Sequence, residues 1–202
     1  MATIEFYFDF LSPYSYLAHQ ELPKLAARCR AELVYKPADL GELKLKAGNT
    51  GPSTRDMPVK HKYARADLAR WAKRYGVPLV PPKSGNSARL NKGAFFAIDR
   101  GQARDYVAKA WSKTWGGGGD PADEALLRAV AGDLGWDANA FVAFTASPEA
   151  DARYKASTEE AHKKGVFGVP TFIVGDELWW GNDRMSFLEE YLTASAKPAA
   201  AE

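Results

Sequence analysis

The first stretch of the chain alternates little and is almost wholly aromatic. Phe6, Tyr7, Phe8 and Phe10 surround the single acid Asp9, which predicts a first strand over residues 3–10 buried on both faces. From Tyr14 the spacing changes. Tyr14, Leu17, Ala18, Leu22, Leu25, Ala26 and Cys29 recur at helical intervals and predict a helix over 13–30, with Pro23 as a point where it kinks or splits. Cys29 falls on that apolar stripe and reads as core. Residues 32–36 then read as a second strand, so strand, helix and strand form a right-handed parallel crossover.

After Pro37 the pattern becomes helical. Residues 38–58, rich in Gly and Pro, predict a short helix and an irregular loop, and 59–75 an amphipathic helix stopped by Gly76 and Pro78. A loop follows over 79–90, then an aromatic-rich helix over 91–115, and then Gly116 to Gly119 as a flexible hinge. Asp120-Pro121 with Asp123 and Glu124 predicts a helix start, Asp137 caps another helix, and Ser147-Pro148-Glu149 opens one running to Gly165. Strands return at 171–174 and 178–180 around Gly175-Asp176-Glu177, a hairpin signal. Residues 183–194 close the chain as a helix, and the tail from Ala194 to Glu202 reads as frayed. The expected class is α/β: a β-α-β…β-β-α domain, discontinuous over 1–40 and 165–202, with an all-helical insertion over 41–164.

The chemistry concentrates where the first strand meets the first helix. Ser12 is a good N-cap and Pro13 suits the first helical position. The unpartnered N–H groups and dipole of that helix end form a site for an anion. Ser12-Pro13-Tyr14-Ser15 has Cys-x-x-Cys spacing with serine at both cysteine positions. Thiol chemistry there needs a thiolate, so the sulfur must arrive with a cofactor. Read alone, Ser12 is equally a plain helix cap.

Composition narrows the partners. With 202 residues, 46% hydrophobic and 12% aromatic, the chain can bury a full core. Its net charge of +2 does not suggest nucleic-acid binding. Yet residues 41–115 hold 16 Lys/Arg against 5 Asp/Glu, which describes either solvated helix faces or a basic cleft for a small carboxylate. The lone Cys29 excludes an internal disulfide, and His19, His61 and His162 lack metal-ligand spacing. No stretch approaches the ~20 apolar residues of a membrane span, and no leader pattern opens the chain, so a cytoplasmic protein is expected.

Phe8-Asp9-Phe10-Leu11-Ser12-Pro13-Tyr14-Ser15-Tyr16-Leu17, Gly168-Val169-Pro170-Thr171 and Trp180-Gly181-Asn182-Asp183-Arg184, taken in order, resemble one family. It is the 2-hydroxychromene-2-carboxylate isomerases, relatives of kappa-class glutathione transferases with a thioredoxin-like fold. The resemblance spans nearly the whole chain and includes the loop from Gly48 to Ser53. It implies glutathione as an unconsumed cofactor and a small aromatic carboxylate as substrate. The implied reaction interconverts 2-hydroxychromene-2-carboxylate and trans-o-hydroxybenzylidenepyruvate, a step of bacterial naphthalene breakdown.

The resemblance also assigns roles. Ser12 favours the glutathione thiolate, which adds to the conjugated double bond, lets it rotate and is then eliminated. A cis bond before Pro170 turns the Val169 backbone toward the cofactor; the plain alternative is an edge-strand proline. Gly181, Asn182 and Asp183 hold the γ-glutamyl end, although Asp183 alone reads as an N-cap. Lys60 contacts the glycyl carboxylate. Lys44, Thr54, Asn86 and Arg89 are the substrate candidates, with Lys44 or Arg89 for its carboxylate, both otherwise ordinary surface charge. Thr54 departs from the asparagine of some relatives. Trp111, Trp115 and Trp136 read as core, and Trp179-Trp180 as site lining or dimer contact. By analogy the enzyme is a homodimer. The alternatives are a kappa-like transferase and a non-catalytic binding or chaperone module.

Overall fold

The computed structural model describes residues 1–195. The tail expected to fray falls outside them from residue 196. The elements run β1 (Thr3–Phe8), α1 (Pro13–Arg28), β2 (Glu32–Pro37), α2 (Leu40–Lys46), α3 (Pro58–Tyr75), α4 (Ala88–Ile98), α5 (Ala103–Lys113), α6 (Glu124–Asp133), α7 (Ala138–Thr145), α8 (Pro148–Lys163), β3 (Thr171–Val174), β4 (Glu177–Trp180) and α9 (Met185–Ser195), with short 3-10 turns at Thr54–Asp56 and Asn182–Arg184. The strands form one mixed sheet in the order β2-β1-β3-β4. β1 pairs with β2 in parallel, and β1–β3 and β3–β4 are antiparallel. This is the expected α/β order, with only helices between β2 and β3.

β1 is buried on both faces, as its aromatic texture requires. Phe6 and Phe8 face a cluster that includes Leu17, Tyr35, Trp111 and Phe172, while Tyr7 faces Leu43, Ala161, Val166, Val169 and Ile173. Trp111 of α5 stands at the centre of the larger cluster, with ring centroids 5.5 Å from Phe8 and 5.0 Å from Phe10. The aromatic core therefore runs without a break from the sheet into the helices between β2 and β3.

Several local expectations are corrected. Pro23 neither splits nor ends α1, which is continuous. The helix expected over 91–115 is two helices. Gly101 sits between them at φ +66°, a left-handed conformation that a helix interior cannot hold. The four-glycine run is a packed turn rather than a hinge. Gly119 N–H bonds Lys113 O at 2.9 Å, and a Cβ on Gly119 would come within 2.6 Å of Leu126. α6 starts later than Asp120-Pro121 suggests: Asp123 is its cap, accepting from Ala125 N–H at 2.9 Å, while Asp120 closes the turn before it. Cys29 is half-buried at the end of α1 rather than fully in the core. Trp111 and Trp115 are buried and Trp136 packs against the core, as read from the sequence.

Candidate active site

β1 delivers the chain through a three-residue turn to Ser12. The backbone of Ser12 is extended (φ −86°, ψ 113°), and its Oγ accepts the N–H of Ser15 at 3.1 Å, a regular N-cap. The same hydroxyl donates to Val169 O at 3.3 Å, from the far end of the chain. Ser12 is 4% exposed. The Val169–Pro170 bond is cis. Pro170 O accepts from Gly181 N at 2.9 Å, so the segments before β3 and after β4 are held together. Gly181 has φ +110°, which favours glycine, and a Cβ there would meet the Asp183 carboxylate. One end of the sheet thus gathers Ser12, Val169, Pro170 and Gly181.

Asn182 and Asp183 continue this region along α1. Asp183 is not the cap of α9. It lies in the 3-10 turn, exposed, with its carboxylate 3.2 Å from Arg184 Nη1. Asn182 is 3% exposed, and among the described residues its Nδ2 makes no regular hydrogen bond, with the Tyr75 hydroxyl beside it. A buried amide left without an acceptor costs free energy unless a bound group supplies one. It borders a groove of about 490 Å³ whose walls include Trp71, Tyr75 and Asp183. Three residues of extended peptide span about 10 Å. The residues from Val169 to Asp183 thus offer backbone groups, an amide and an exposed carboxylate, the kinds of group that could hold a small zwitterionic peptide, while the groove itself runs further along α1 against Glu21, Leu25 and Arg28.

The other sequence candidates fall into three groups. α3 lies along α1, with Tyr14 Oη donating to Asp67 at 3.2 Å. Lys60 is seven residues before Asp67, about 10 Å further along the helix, and is exposed beyond the start of α1. Thr54 is exposed in the 3-10 turn before α3. Lys44 is half-buried on α2, and among the described residues it forms no ion pair. Asn86 is exposed in the loop before α4, where a Cβ on the adjacent Gly85 would lie 3.5 Å from Leu11. That loop therefore packs beside the Ser12 turn. Arg89 is committed elsewhere. Its guanidinium donates to Thr145 Oγ1 at 3.2 Å and Val142 O at 3.2 Å, with Glu124 at 3.4 Å, and so ties α4 to α6 and α7. The alternative reading of Arg89 as ordinary surface charge is corrected, because the side chain serves an interhelix junction.

Sequence reasoning missed Asp9. It is 3% exposed, and its carboxylate accepts four hydrogen bonds from neutral donors. Burial pushes its pKa above the ordinary carboxylate range, against those bonds, which pull it down. The signal was present: Asp9 is the lone charge in an aromatic strand end. Tyr14 was read only as core; burial and then the charge of Asp67 push its hydroxyl up to about 12.

Residues 3–193 match the DSBA-like thioredoxin domain family. The chain is 46% identical over 190 residues to 2-hydroxychromene-2-carboxylate isomerase of Sphingobium xenophagum, covering 94% of this chain and 97% of that protein. This chain belongs to that isomerase family. A solved structure of a 2-hydroxychromene-2-carboxylate isomerase superposes with a TM-score of 0.92 at 46% identity, covering 96% of this chain and 95% of that one. A more distant relative of the isomerase family is human glutathione S-transferase kappa 1, 26% identical over 206 residues, covering 94% of this chain and 90% of that protein. The family fold carries a hydroxyl at both positions of the Ser12–Ser15 pair here, and no cysteine lies at the start of α1.

Proposed function

We propose that this isomerase is glutathione-dependent and interconverts 2-hydroxychromene-2-carboxylate and trans-o-hydroxybenzylidenepyruvate, a cytoplasmic step of naphthalene catabolism carried out by a homodimer. The observation that carries this reading is Ser12: a capping hydroxyl at the thiol position of a DSBA-like fold, held against Val169 O. Glutathione held there would supply a thiolate for reversible conjugate addition, the chemistry that turns the double bond into a rotatable single bond and restores the alkene on elimination.

The chain's own residues prepare and orient that chemistry. Ser12 Oγ would donate to the sulfur in place of Val169 O, and the N-terminal end of α1 would favour the negative charge. The Val169 backbone lies where an extended peptide can add a strand-like pairing. Asp183 takes the ammonium of the γ-glutamyl end, Asn182 Nδ2 its carboxylate, and Lys60 the glycyl carboxylate. Lys44 holds the substrate carboxylate, Asn86 donates to its keto or phenol oxygen, and Thr54 borders the ring. Arg89 is the alternative for that carboxylate, although its guanidinium also serves the junction with α6 and α7.

The test is an absorbance time course with 2-hydroxychromene-2-carboxylate, with and without glutathione. Conversion that requires glutathione and consumes none is the expected result. A second reading, favoured by the kappa-class relative, is a conjugating transferase. It predicts loss of glutathione with an electrophilic aromatic halide and no isomerisation.

A further inference from the structure

The turn that presents Ser12 is held from one side by a single buried carboxylate. Asp9 Oδ1 accepts from Leu11 N–H at 2.8 Å, Ser87 Oγ at 2.6 Å and Asn91 Nδ2 at 2.8 Å, and Asp9 Oδ2 accepts from Leu40 N–H at 3.0 Å. Asn91 extends the arrangement. Its Oδ1 accepts from Phe10 N–H at 3.0 Å, and its Nδ2 also donates to Tyr154 Oη at 2.8 Å. Ser12 N–H bonds the Asp9 carbonyl at 3.0 Å. Three successive amides, those of Phe10, Leu11 and Ser12, are therefore all tied to the Asp9–Asn91 pair.

The other two donors come from the helices that carry the substrate candidates. Leu40 is the first residue of α2, four residues and about one turn before Lys44. Ser87 directly follows Asn86 and precedes α4. We propose that Asp9 is a positioning residue that couples the Ser12 turn to α2 and to the Asn86 loop, fixing the distance between the nucleophile's seat and the groups that hold the substrate. The inference rests on the isomerase reading for what those groups do, but the coupling itself is a property of the fold.

The chemistry favours a carboxylate for this task. An apolar side chain of the same size would avoid the cost of burying charge, but it would leave four donors without acceptors. Asparagine supplies one acceptor oxygen and one NH2 group. With the oxygen kept toward Leu11, Ser87 and Asn91, its NH2 would face the Leu40 N–H and break that link alone. Proline at position 40 breaks the same link from the other end. Leu40 is at the first helical position, where proline is accepted, and Asp39 before it is already extended at ψ 107°. Leu40→Ala keeps the N–H and controls for the lost side chain.

The experiment compares wild type, Asp9→Asn, Leu40→Pro, Leu40→Ala and the Asp9→Asn/Leu40→Pro pair. Each is measured for hydrogen exchange of the α2 amides, glutathione affinity by calorimetry, and kcat and KM with 2-hydroxychromene-2-carboxylate. Asp9→Asn and Leu40→Pro should each speed α2 exchange and raise KM about tenfold, with glutathione affinity within about twofold of wild type. The double variant should cost no more than either alone, and Leu40→Ala should stay near wild type. Unchanged α2 exchange in Asp9→Asn, or additive losses in the pair, would overturn the coupling. If wild type does not isomerise the substrate, the functional reading fails, and the exchange rates still decide the role of Asp9.

Discussion

Ser12 and His19 are the two residues whose replacement is most informative, for opposite reasons. Ser12 lies at the start of α1 with its hydroxyl shared between Ser15 N–H and Val169 O. Ser12→Ala removes one cap bond, a cost of about 1 kcal/mol, so the fold should survive with a slightly lower melting temperature. The glutathione-dependent rate should fall about 100-fold, as expected for loss of a hydrogen bond to developing charge. Steady-state kinetics with saturating glutathione check this; near-native kcat would remove Ser12 from the mechanism. His19 is a core residue. It is 6% exposed, with Nε2 2.9 Å from Tyr35 Oη, and burial, with the charge of Arg104 second, lowers its pKa to about 3. The unfolded chain binds a proton near the ordinary value of about 6.5, while the native chain does not until far lower. His19 therefore contributes stability that is fully present above pH 6.5 and is lost as pH falls from there toward 3. Urea melts across that window should show a declining midpoint, and His19→Gln should flatten the decline.

Among the elements, α4 is the most tightly constrained. A Cβ on Gly93 would collide with Tyr106 Oη and lie 2.8 Å from the Phe141 ring, and Tyr106 Oη is already fixed by its bond to Leu90 O at 2.7 Å. Gly93→Ala should destabilise the protein by about 1–3 kcal/mol despite its better helix propensity, which a denaturant midpoint will show. No residue pattern along the chain announces that contact, because it depends on α5 and α7 arriving on the same face. The same limit separates what was legible in the sequence from what was not. A first strand from residue 3, the caps at Ser12, Asp137 and Ser147 and the hairpin at Gly175 follow from local spacing and cap chemistry, and the structure has them, although the strand read over 3–10 ends at Phe8. The packing of the glycine turn and the commitment of Arg89 to α6 and α7 are set by tertiary contacts, whereas the break at Gly101 is a local glycine stop that the helical spacing over 91–115 hid. Asp9 was visible as an odd charge among aromatics, but its four donors come from residues 11, 40, 87 and 91. Only folding identifies them.

For the whole molecule, the continuous core has a direct consequence for unfolding. Phe8 and Phe10 pack on Trp111, and Trp115 Nε1 donates to Phe10 O at 2.9 Å, so the sheet and the helices share their central contacts. Unfolding should be one cooperative transition, with tryptophan fluorescence and far-ultraviolet circular dichroism giving coincident curves. Two separated transitions would mean that the helices fold on their own. Charge acts at this scale as well. The exposed surface of α3 carries Lys60, Lys62, Arg65, Arg70, Lys73 and Arg74, the last of which lines the groove. On the proposed reading two anionic ligands approach this surface, so kcat/KM should fall as ionic strength rises from low salt, more steeply than kcat.

The bond between Ser12 and Val169 spans 157 positions of sequence. β3 and β4, which complete the sheet beyond β1, are also drawn from residues after 170. During synthesis, at roughly 5–20 residues per second, β1 and α1 leave the ribosome many seconds before the strand that pairs with β1 exists. For that interval the aromatic edge of β1 has no partner on its β3 side. The nascent chain therefore passes through a long period in which its aromatic first strand is open and the contact between Ser12 and Val169 cannot yet have formed, and its yield in the cell will depend on what shelters that edge until β3 and β4 emerge.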